Sequence, residues 1–345
     1  MERKCRSSNM ELLRIISMYM IVFIHANMYL NQFCSGLPWL LTNGLVNGIC
    51  NIGVTCFILI SGYYGMNFQI KKLIKLECMM ISYSILETLL LLLLYPEQMQ
   101  GAVLMEALIK SCFPVITRKY WFYSCYVCLY LFSGFINNVI RQISQKDFRN
   151  LLLLSLTLFS LLPTIFYFQI IPDNGKGFVQ MTMIYLIGRY IKLYKDISLP
   201  KGKSICIFCL LWIVNGISHE IPLEFGGIFH HLCKDNSITN IIMAILLVYL
   251  FKEISFHSPL LNKAASGLFA AFALNNSLVT LVMELLNRSS LSVSAGPAGP
   301  FILAGLVFII LTACISLGLL REFLCHKADD RLAEWGMKVY SFLPK

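Results

Sequence analysis

Long apolar runs alternate with short polar connections along the whole chain. Many runs hold about 18 to 22 residues, the length that crosses a ~30 Å hydrocarbon layer as a helix. The pattern predicts an all-α, polytopic membrane protein that forms a single domain over residues 1–345, with tails at 1–9 and 322–345. Ten spans are predicted, at about residues 10–31, 44–65, 75–95, 120–140, 150–171, 177–195, 204–218, 237–252, 265–286 and 299–321.

Composition and charge support the same class. Hydrophobic residues make up 57% of the chain and charged residues 13%, about half the charged fraction of a soluble domain. The net charge of +10 does not indicate nucleic acid, because the basic residues lie in short clusters between the apolar runs. With the N-terminus inside, 21 of the 28 lysines and arginines fall in cytoplasmic segments and six outside, as the positive-inside rule predicts. Both termini are therefore predicted to be cytoplasmic.

The cysteines and the N-terminus indicate neither metal binding nor secretion. The thirteen cysteines lie mostly in predicted spans, where thiols behave as small hydrophobic side chains, so no metal site is expected. The basic N-terminus precedes a long apolar run without a small-residue cleavage site. This pattern predicts a retained first helix in a multi-pass protein of the cell membrane.

The first predicted span contains ionisable residues, which are costly in a bilayer and are therefore candidates for function. Arg14 and His25 are eleven residues apart, about 20° past three full turns, so both project from one helix face. Along the axis they are about 16 Å apart, with His25 slightly beyond the midplane. An arginine near a helix end can simply snorkel, and a buried histidine can simply form an interhelical hydrogen bond. Acid–base chemistry is the favoured interpretation for His25.

Glu87 is the second intramembrane ionisable residue, near the middle of the third span. Two interpretations stay open. It orients or charge-balances His25 or Arg14, or it is a structural glutamate with hydrogen bonds of its own.

An ordered set of motifs resembles the acyltransferase-3 family of membrane O-acyltransferases. Arg14 and His25, with ten residues between them, match the family's hallmark in the first helix. Four further segments follow in the family's order: 53–63 (GVTCFILISGY), the basic residues Lys71, Lys72 and Lys75, 120–131 (YWF continuing to LYL), and Gly188-Arg189-Tyr190. The resemblance covers essentially the whole chain, and the predicted span count agrees with it.

Four positions depart from the family pattern. Lys72 and Lys75 stand where the family has the arginines of an R-x-x-R motif, which keeps the charge but loses bidentate phosphate geometry. Tyr126 stands where many relatives have a glutamate. Asn275 stands where many relatives have a late histidine, so any help from that second histidine is missing here.

The resemblance implies transfer of an acyl group, most often acetyl, from cytoplasmic acyl-CoA to a hydroxyl of an extracytoplasmic or lipid-linked glycan. His25 would be the general base, Arg14 a donor-side organiser and Glu87 the third member of the catalytic set. CoA is polyanionic, so its site should present cations at the inner face. The predicted donor-binding residues are Lys71, Lys72, Lys75 and Arg189. Positive-inside topology alone also explains the lysines.

A second group of residues is predicted to bind substrate: Ser61, Tyr120, Trp121, Tyr126 and Asn275. Helix packing is an open alternative for Ser61, and an interfacial aromatic belt is one for Tyr120 and Trp121. The expected partners are acetyl-CoA or another acyl-CoA, a surface or lipid-linked glycan and the bilayer, while homo-oligomerisation is left open.

Two other classes of protein share the basic, many-span pattern. A flippase or polymerase for lipid-linked glycans, or another polysaccharide-export protein, is the main alternative. Flippases usually have more spans and polymerases a large outer loop, whereas the longest predicted outer loop here has about 24 residues. A purely structural membrane protein would not need Arg14, His25 and Glu87 in its spans.

Overall fold

The computed structural model describes residues 7–31, 36–166, 169–194, 200–221, 223–225, 228–288 and 299–341. Within these ranges the chain forms fourteen α-helices, one π-helical turn (Thr157–Leu161) and one antiparallel hairpin of β1 (Leu223–Phe225) and β2 (Ile228–His230). The helices are α1 (Ser8–Leu30), α2 (Leu37–Cys50), α3 (Gly53–Tyr64), α4 (Ile70–Leu94), α5 (Gly101–Cys112), α6 (Trp121–Gln142), α7 (Gln145–Leu156), α8 (Leu162–Phe166), α9 (Phe178–Leu193), α10 (Lys201–Glu220), α11 (Ile238–Lys252), α12 (Pro259–Ser266), α13 (Leu268–Arg288) and α14 (Gly299–Ser341).

Eight segments of the described chain are long and apolar enough to cross a membrane. α2 and α3 together form one of them, and α7, the π turn and α8 form another. The other six are α1, α4, α6, α10, α13 and α14. The two remaining predicted spans fall on α9 and α11, which have 16 and 15 residues and measure about 24 and 23 Å. The all-α, polytopic class is confirmed, while the count of ten spans and the side of each terminus stay predictions.

The C-terminal segment differs from the predicted tail. α14 continues as one helix through 43 residues, about 64 Å, which is twice the thickness of the hydrocarbon layer. Beyond the apolar part, Arg321 donates two hydrogen bonds to Asp329, at 2.7 and 2.9 Å, and one to Ser82 of α4 at 2.9 Å. These contacts hold the polar extension as a helix against α4. Residues 1–6 and 342–345 of the predicted tails lie outside the described residues.

α1 is surrounded by other helices of the bundle. It packs against α3, α13 and α14 and also contacts α2, α11 and α12. Leu13, Ser17, Val22 and Ala26 have no exposed surface. The polar residues of α1 are therefore surrounded by protein rather than by lipid, which is how an ionisable side chain becomes tolerable at membrane depth.

α3 and α9 touch backbone to backbone. A Cβ on Gly62 would lie 2.2 Å from the Tyr185 carbonyl oxygen, and one on Gly188 would lie 2.3 Å from the Leu59 carbonyl oxygen. Only glycine permits this approach, as in other membrane helix pairs that pack through small residues. The two glycines thereby bring the SGY segment of α3 and the GRY segment of α9 together, at the end of the bundle predicted to face the cytoplasm.

Candidate active site

The site begins with one face of α1. Arg14 and His25 both lie on this helix, and an unbroken helix from Ser8 to Leu30 gives them the axial separation of about 16 Å expected from the spacing. Both side chains are partly buried. The two residues therefore mark two levels of the same face, Arg14 toward the N-terminal end of α1 and His25 toward its C-terminal end.

His25 contacts Asn275 of α13. The His25 Nδ1 atom and the Asn275 Oδ1 atom form a short hydrogen bond. Asn275 is 3% exposed, and its Nδ2 atom donates to the Phe272 carbonyl oxygen at 2.8 Å. The structure thus places the residue that replaces the family's late histidine directly against the histidine of the first helix.

The second hydrogen bond of Asn275 fixes which atoms carry protons. Flipping the amide would turn its oxygen toward the Phe272 carbonyl, so the Oδ1 atom must face His25. The Nδ1 atom of His25 is then the donor, and the lone pair lies on Nε2. No hydrogen bond to Nε2 occurs among the described residues. His25 is therefore held in the tautomer that a general base requires.

Arg14 lies on the same face, near the N-terminal end of α1. It pairs with Glu11, with an N–O distance of 3.0 Å, and its guanidinium carbon lies 5.8 Å from the centre of the Tyr64 ring. Glu11 is 5% exposed, whereas the Arg14 side chain keeps 29% of its surface accessible. One charge of the pair thus remains open to an anionic ligand.

Ser61 and Tyr126 meet between α3 and α6. The Tyr126 hydroxyl lies close to the Ser61 hydroxyl, and the charge of Arg14 acts on the same tyrosine. Ser61 also donates to the Phe57 carbonyl oxygen at 3.0 Å, a bond within its own helix. Tyr126, which replaces a glutamate of many relatives, therefore supplies a neutral polar group beside Arg14, where a glutamate would supply a negative charge.

Arg189 lies against the turn that follows α3. Gly65 has a φ of +78°, which favours glycine, and a Cβ there would be 2.6 Å from an Arg189 terminal nitrogen. The Nε atom of Arg189 is buried and has no hydrogen-bond partner within the described residues. A buried donor without a partner is uncommon in folded proteins and is a reasonable mark of a ligand site.

The three lysines of α4 are not equivalent. Lys71 pairs with Glu334 of α14 at 3.3 Å, and Lys75 pairs with Asp330. Lys72 is exposed and has no ion pair within the described part of the chain. Two of the predicted donor-binding lysines thus already bind carboxylates of the α14 extension, which were assigned to a tail in the sequence analysis.

Glu87 joins a different network from the one expected. Its carboxylate pairs with Lys119 at 3.0 Å, accepts a hydrogen bond from Ser277 at 2.8 Å and accepts one from Tyr120. Among the described residues, no hydrogen bond or ion pair joins Glu87 to His25 or Arg14. These contacts favour the interpretation of Glu87 as a structural glutamate, and its role in catalysis stays a prediction.

The same network changes the place of Tyr120. Its hydroxyl donates a hydrogen bond to Glu87, and its ring packs against Phe272, with 6.1 Å between ring centres. Tyr120 thus lies inside the bundle and not in a belt of aromatic residues at the surface. Trp121 alone of this pair lines a cavity, together with Gln180 and Asp235.

Lys119 is the site residue that the sequence analysis missed. Its position in a predicted outer loop indicates an ordinary loop charge, yet only 16% of its side chain is exposed. Lys119 donates hydrogen bonds to Ser111 at 3.0 Å and to Thr88 at 3.2 Å. Its position directly before the YWF segment was the one available signal. Its pairing with a glutamate 32 residues earlier depends on how α4 and α6 pack, which periodicity does not reveal.

The described chain thus combines eight segments long and apolar enough to cross a membrane with a partly buried imidazole whose Nε2 atom has no partner there, which places it among the multi-pass membrane proteins. Comparison with protein families gives the class more closely, since a model described as an acyltransferase domain, that of the acyltransferase-3 family, matches residues 7–321. The chain belongs to the acyltransferase-3 family and is a membrane acyltransferase. Comparison with curated proteins and with solved structures gave no significant match.

Proposed function

We propose that this acyltransferase moves an acetyl group from acetyl-CoA on the cytoplasmic side to a hydroxyl of a glycan on the other side of the membrane. The observation that carries the proposal is the His25–Asn275 pair, which leaves His25 Nε2 as a proton acceptor inside the bundle. A general base at that depth suits two substrates that approach from opposite faces. The cations lie on the side of α1 that the charge distribution assigns to the cytoplasm.

The donor fits the residues that are available. Polyphosphate and diphosphate groups are recognised by arginine through paired N–H donors. Arg189 has a buried donor without a partner, Arg14 keeps accessible surface, and Lys72 has no ion pair within the described residues. These three would hold the phosphate-bearing end of the donor, and the donor itself supplies the acyl group as a reactive thioester.

His25 carries the proton of the reaction. Its Nε2 atom takes the proton of the acceptor hydroxyl as the hydroxyl oxygen forms a bond with the acyl carbon. The carbon–sulfur bond of the thioester breaks, and the proton leaves with the thiolate, which returns His25 to its starting state. Asn275 keeps the imidazole in one orientation throughout, because its oxygen remains bonded to Nδ1. Direct transfer needs no acyl group on the protein.

Turnover of acetyl-CoA by purified protein in lipid nanodiscs tests the proposal. Release of free thiol is measured for the wild type, His25→Ala, Arg14→Ala and the control Asn276→Ala, whose side chain is exposed on α13. His25→Ala is expected to lose on the order of a hundredfold in turnover, the usual contribution of a general base. Arg14→Ala is expected to raise KM for acetyl-CoA. Equal donor binding and turnover in all four proteins would contradict the proposal.

A further inference from the structure

A small recess lies at the outer ends of α6, α9 and α11, under the predicted topology. Its lining comprises Val54, Thr55, Ile58, Trp121, Gly175, Gln180, Met181, Ile184 and Asp235. Most of this lining is apolar, and the polar groups come from the rim. The cavity has room for about one water molecule, which is also the size of one hydroxyl group.

Two polar groups of the lining can still bind a ligand. The Asp235 carboxylate and the Trp121 indole N–H form no side-chain hydrogen bond or ion pair within the described residues, and neither does the Lys176 ammonium, whose charge acts on Asp235. Lys176 is exposed, and Trp121 and Asp235 are partly buried. Such groups in a partly apolar recess are the usual composition of a small-molecule site.

The backbone around the recess is fixed by tight contacts. Gly175 has a φ of +82°, and a Cβ there would lie 2.5 Å from the Asn236 nitrogen, so the loop before α9 packs closely on the loop before α11. Gln180, which is 6% exposed, donates from Nε2 to the Asp235 carbonyl oxygen at 3.3 Å. The backbone at Asp235 is thereby held in a defined place beside the recess.

Two observations connect the recess with His25. The charge of Lys176 acts both on His25 and on Asp235, so one ammonium lies within electrostatic range of both residues. Thr55 and Ile58 of the lining belong to α3, which packs on α1, the helix of His25. A ligand held at the recess would therefore lie beside a helix that contacts α1.

We propose that this recess is an anchoring subsite for the acceptor, in which Trp121 stacks on a sugar ring and Asp235 accepts hydrogen bonds from its hydroxyls. The assignment rests on the proposed acyl transfer to a glycan. One non-reacting hydroxyl fills the water-sized cavity, and the ring stays at the mouth with another hydroxyl directed toward His25. A carboxylate is a strong acceptor for sugar hydroxyls, and an indole face covers the apolar C–H face of a sugar.

Sugar binding without catalysis tests the subsite. Tryptophan fluorescence of the protein in nanodiscs is titrated with the methyl glycosides of glucose, galactose, mannose and N-acetylglucosamine. In a second arm, nanodiscs contain monoglucosyl diacylglycerol or phosphatidylglycerol alone, which separates a free saccharide from a lipid-borne one. We expect a saturable change with at least one probe. Asp235→Asn should weaken that binding about tenfold, because a charge-assisted hydrogen bond is lost.

Matched variants isolate the recess. Trp121→Phe should abolish the fluorescence change, while Trp212→Phe, on α10, should keep it. Glu106→Gln removes an outer carboxylate that pairs with Lys110 on α5, and it should bind as the wild type does. Circular dichroism melting of Asp235→Asn confirms that the variant is folded. No response to any probe in either arm, or a response that Asp235→Asn and Trp121→Phe leave unchanged, would overturn the proposal.

The two proposals fail separately. Thiol release from acetyl-CoA that depends on His25, together with sugar binding that ignores Asp235, would leave the acyl transfer standing and remove the subsite. Sugar binding that depends on Asp235 and Trp121, without any turnover of acetyl-CoA, would leave a saccharide site in an acyltransferase that uses another donor.

Discussion

At the scale of single residues, the chemistry depends on how one side chain presents its lone pair. An imidazole free to rotate would offer Nδ1 or Nε2 with similar ease. The Oδ1 atom of Asn275 removes this freedom, and the Phe272 carbonyl prevents Asn275 from flipping. We therefore expect Asn275 to act as a positioning residue. In the proposed mechanism it orients His25 and is not a second base.

Substitution of Asn275 tests that role. Asn275→Leu is expected to lower turnover by roughly tenfold or more, because the loss of an oriented buried hydrogen bond costs about 1–3 kcal/mol. Asn275→Asp keeps an acceptor oxygen and should restore much of the activity while shifting the pH–rate profile to higher pH, since a carboxylate favours protonated His25. Asn276→Leu, one residue further and exposed, is the control. An unchanged pH–rate profile in Asn275→Asp would indicate that Asn275 contributes only to helix packing.

Asp235 gives a second prediction at this scale. Burial raises the pKa of its carboxyl from 3.8 to about 6, Lys176 opposes the rise, and Asp173 adds to it. Because the pKa is higher in the folded chain than in the unfolded chain, protonation of the carboxyl stabilises the fold. This contribution to stability is fully present below pH 4 and is lost as the pH rises through 6. Asp235→Asn should therefore be more stable than the wild type at pH 8, by at most about 3 kcal/mol, and no more stable at pH 4.

Thermal melting at the two pH values measures this difference. Glu106→Gln serves as a control of opposite sign, because the hydrogen bond from Lys110 lowers the pKa of the exposed Glu106 carboxyl. If Asp235→Asn stabilised the protein equally at pH 4 and pH 8, the ionised Asp235 carboxylate would not be destabilising, which would contradict its raised pKa. A carboxylate kept at a cost to stability is typical of binding sites.

At the scale of elements, the contact between α3 and α9 brings residues of both helices together at one end of the site. Gly62 and Gly188 let the two backbones meet, and the turn at Gly65 follows directly with Arg189 against it. The spacing of the SGY and GRY motifs along the sequence gives no indication of this contact. Their glycines are needed for approach, and their polar neighbours are then presented at the same level of the bundle.

Alanine substitution separates the close contact from glycine content in general. Gly62→Ala places a Cβ 2.2 Å from a carbonyl oxygen and is expected to destabilise the protein by about 2 kcal/mol or more. Gly134→Ala, on α6, meets nothing within 4 Å and should be neutral or slightly stabilising, since alanine is the better helix former. Melting temperatures in detergent provide the measurement. Equal effects at both positions would rule out the backbone contact.

The elements also show which features could be predicted from sequence. Arg14 and His25 were placed on one face because helical periodicity determines neighbours within a helix. The partners of His25 and Glu87 could not be derived in this way. Asn275 lies on another helix and Lys119 lies in the segment before α6, so both contacts depend on packing. Asn275 was singled out only through the family resemblance. The helical extension of α14 was missed because its polar composition resembles a tail, whereas ion pairs to α4 keep it folded.

At the scale of the whole molecule, the proposed transfer requires two substrates to reach His25 from opposite faces of the membrane. The distribution of lysine and arginine predicts the orientation, and α5 then lies on the outer side while the extension of α14 lies in the cytoplasm. Two native cysteines report on it, because Cys112 at the end of α5 is exposed and Cys325 lies on the α14 extension.

A membrane-impermeant maleimide should label Cys112 in intact cells and reach Cys325 only after the membrane is permeabilised. Cys112→Ser and Cys325→Ser assign each signal, and mass spectrometry of the labelled peptides identifies the site. Labelling of Cys325 before permeabilisation would reverse the orientation and would place Arg14 and Arg189 on the wrong side for a cytoplasmic donor.

The central claim is transfer of an acetyl group to a glycan by means of His25. Mass spectrometry of surface glycan from cells that lack the protein, complemented with wild type, His25→Ala or Asn276→Ala, measures it most directly. Ester-linked acetyl should be absent without the protein and with His25→Ala, and present with the other two. Glycan that keeps the same ester-linked acetyl in cells without the protein would contradict the account.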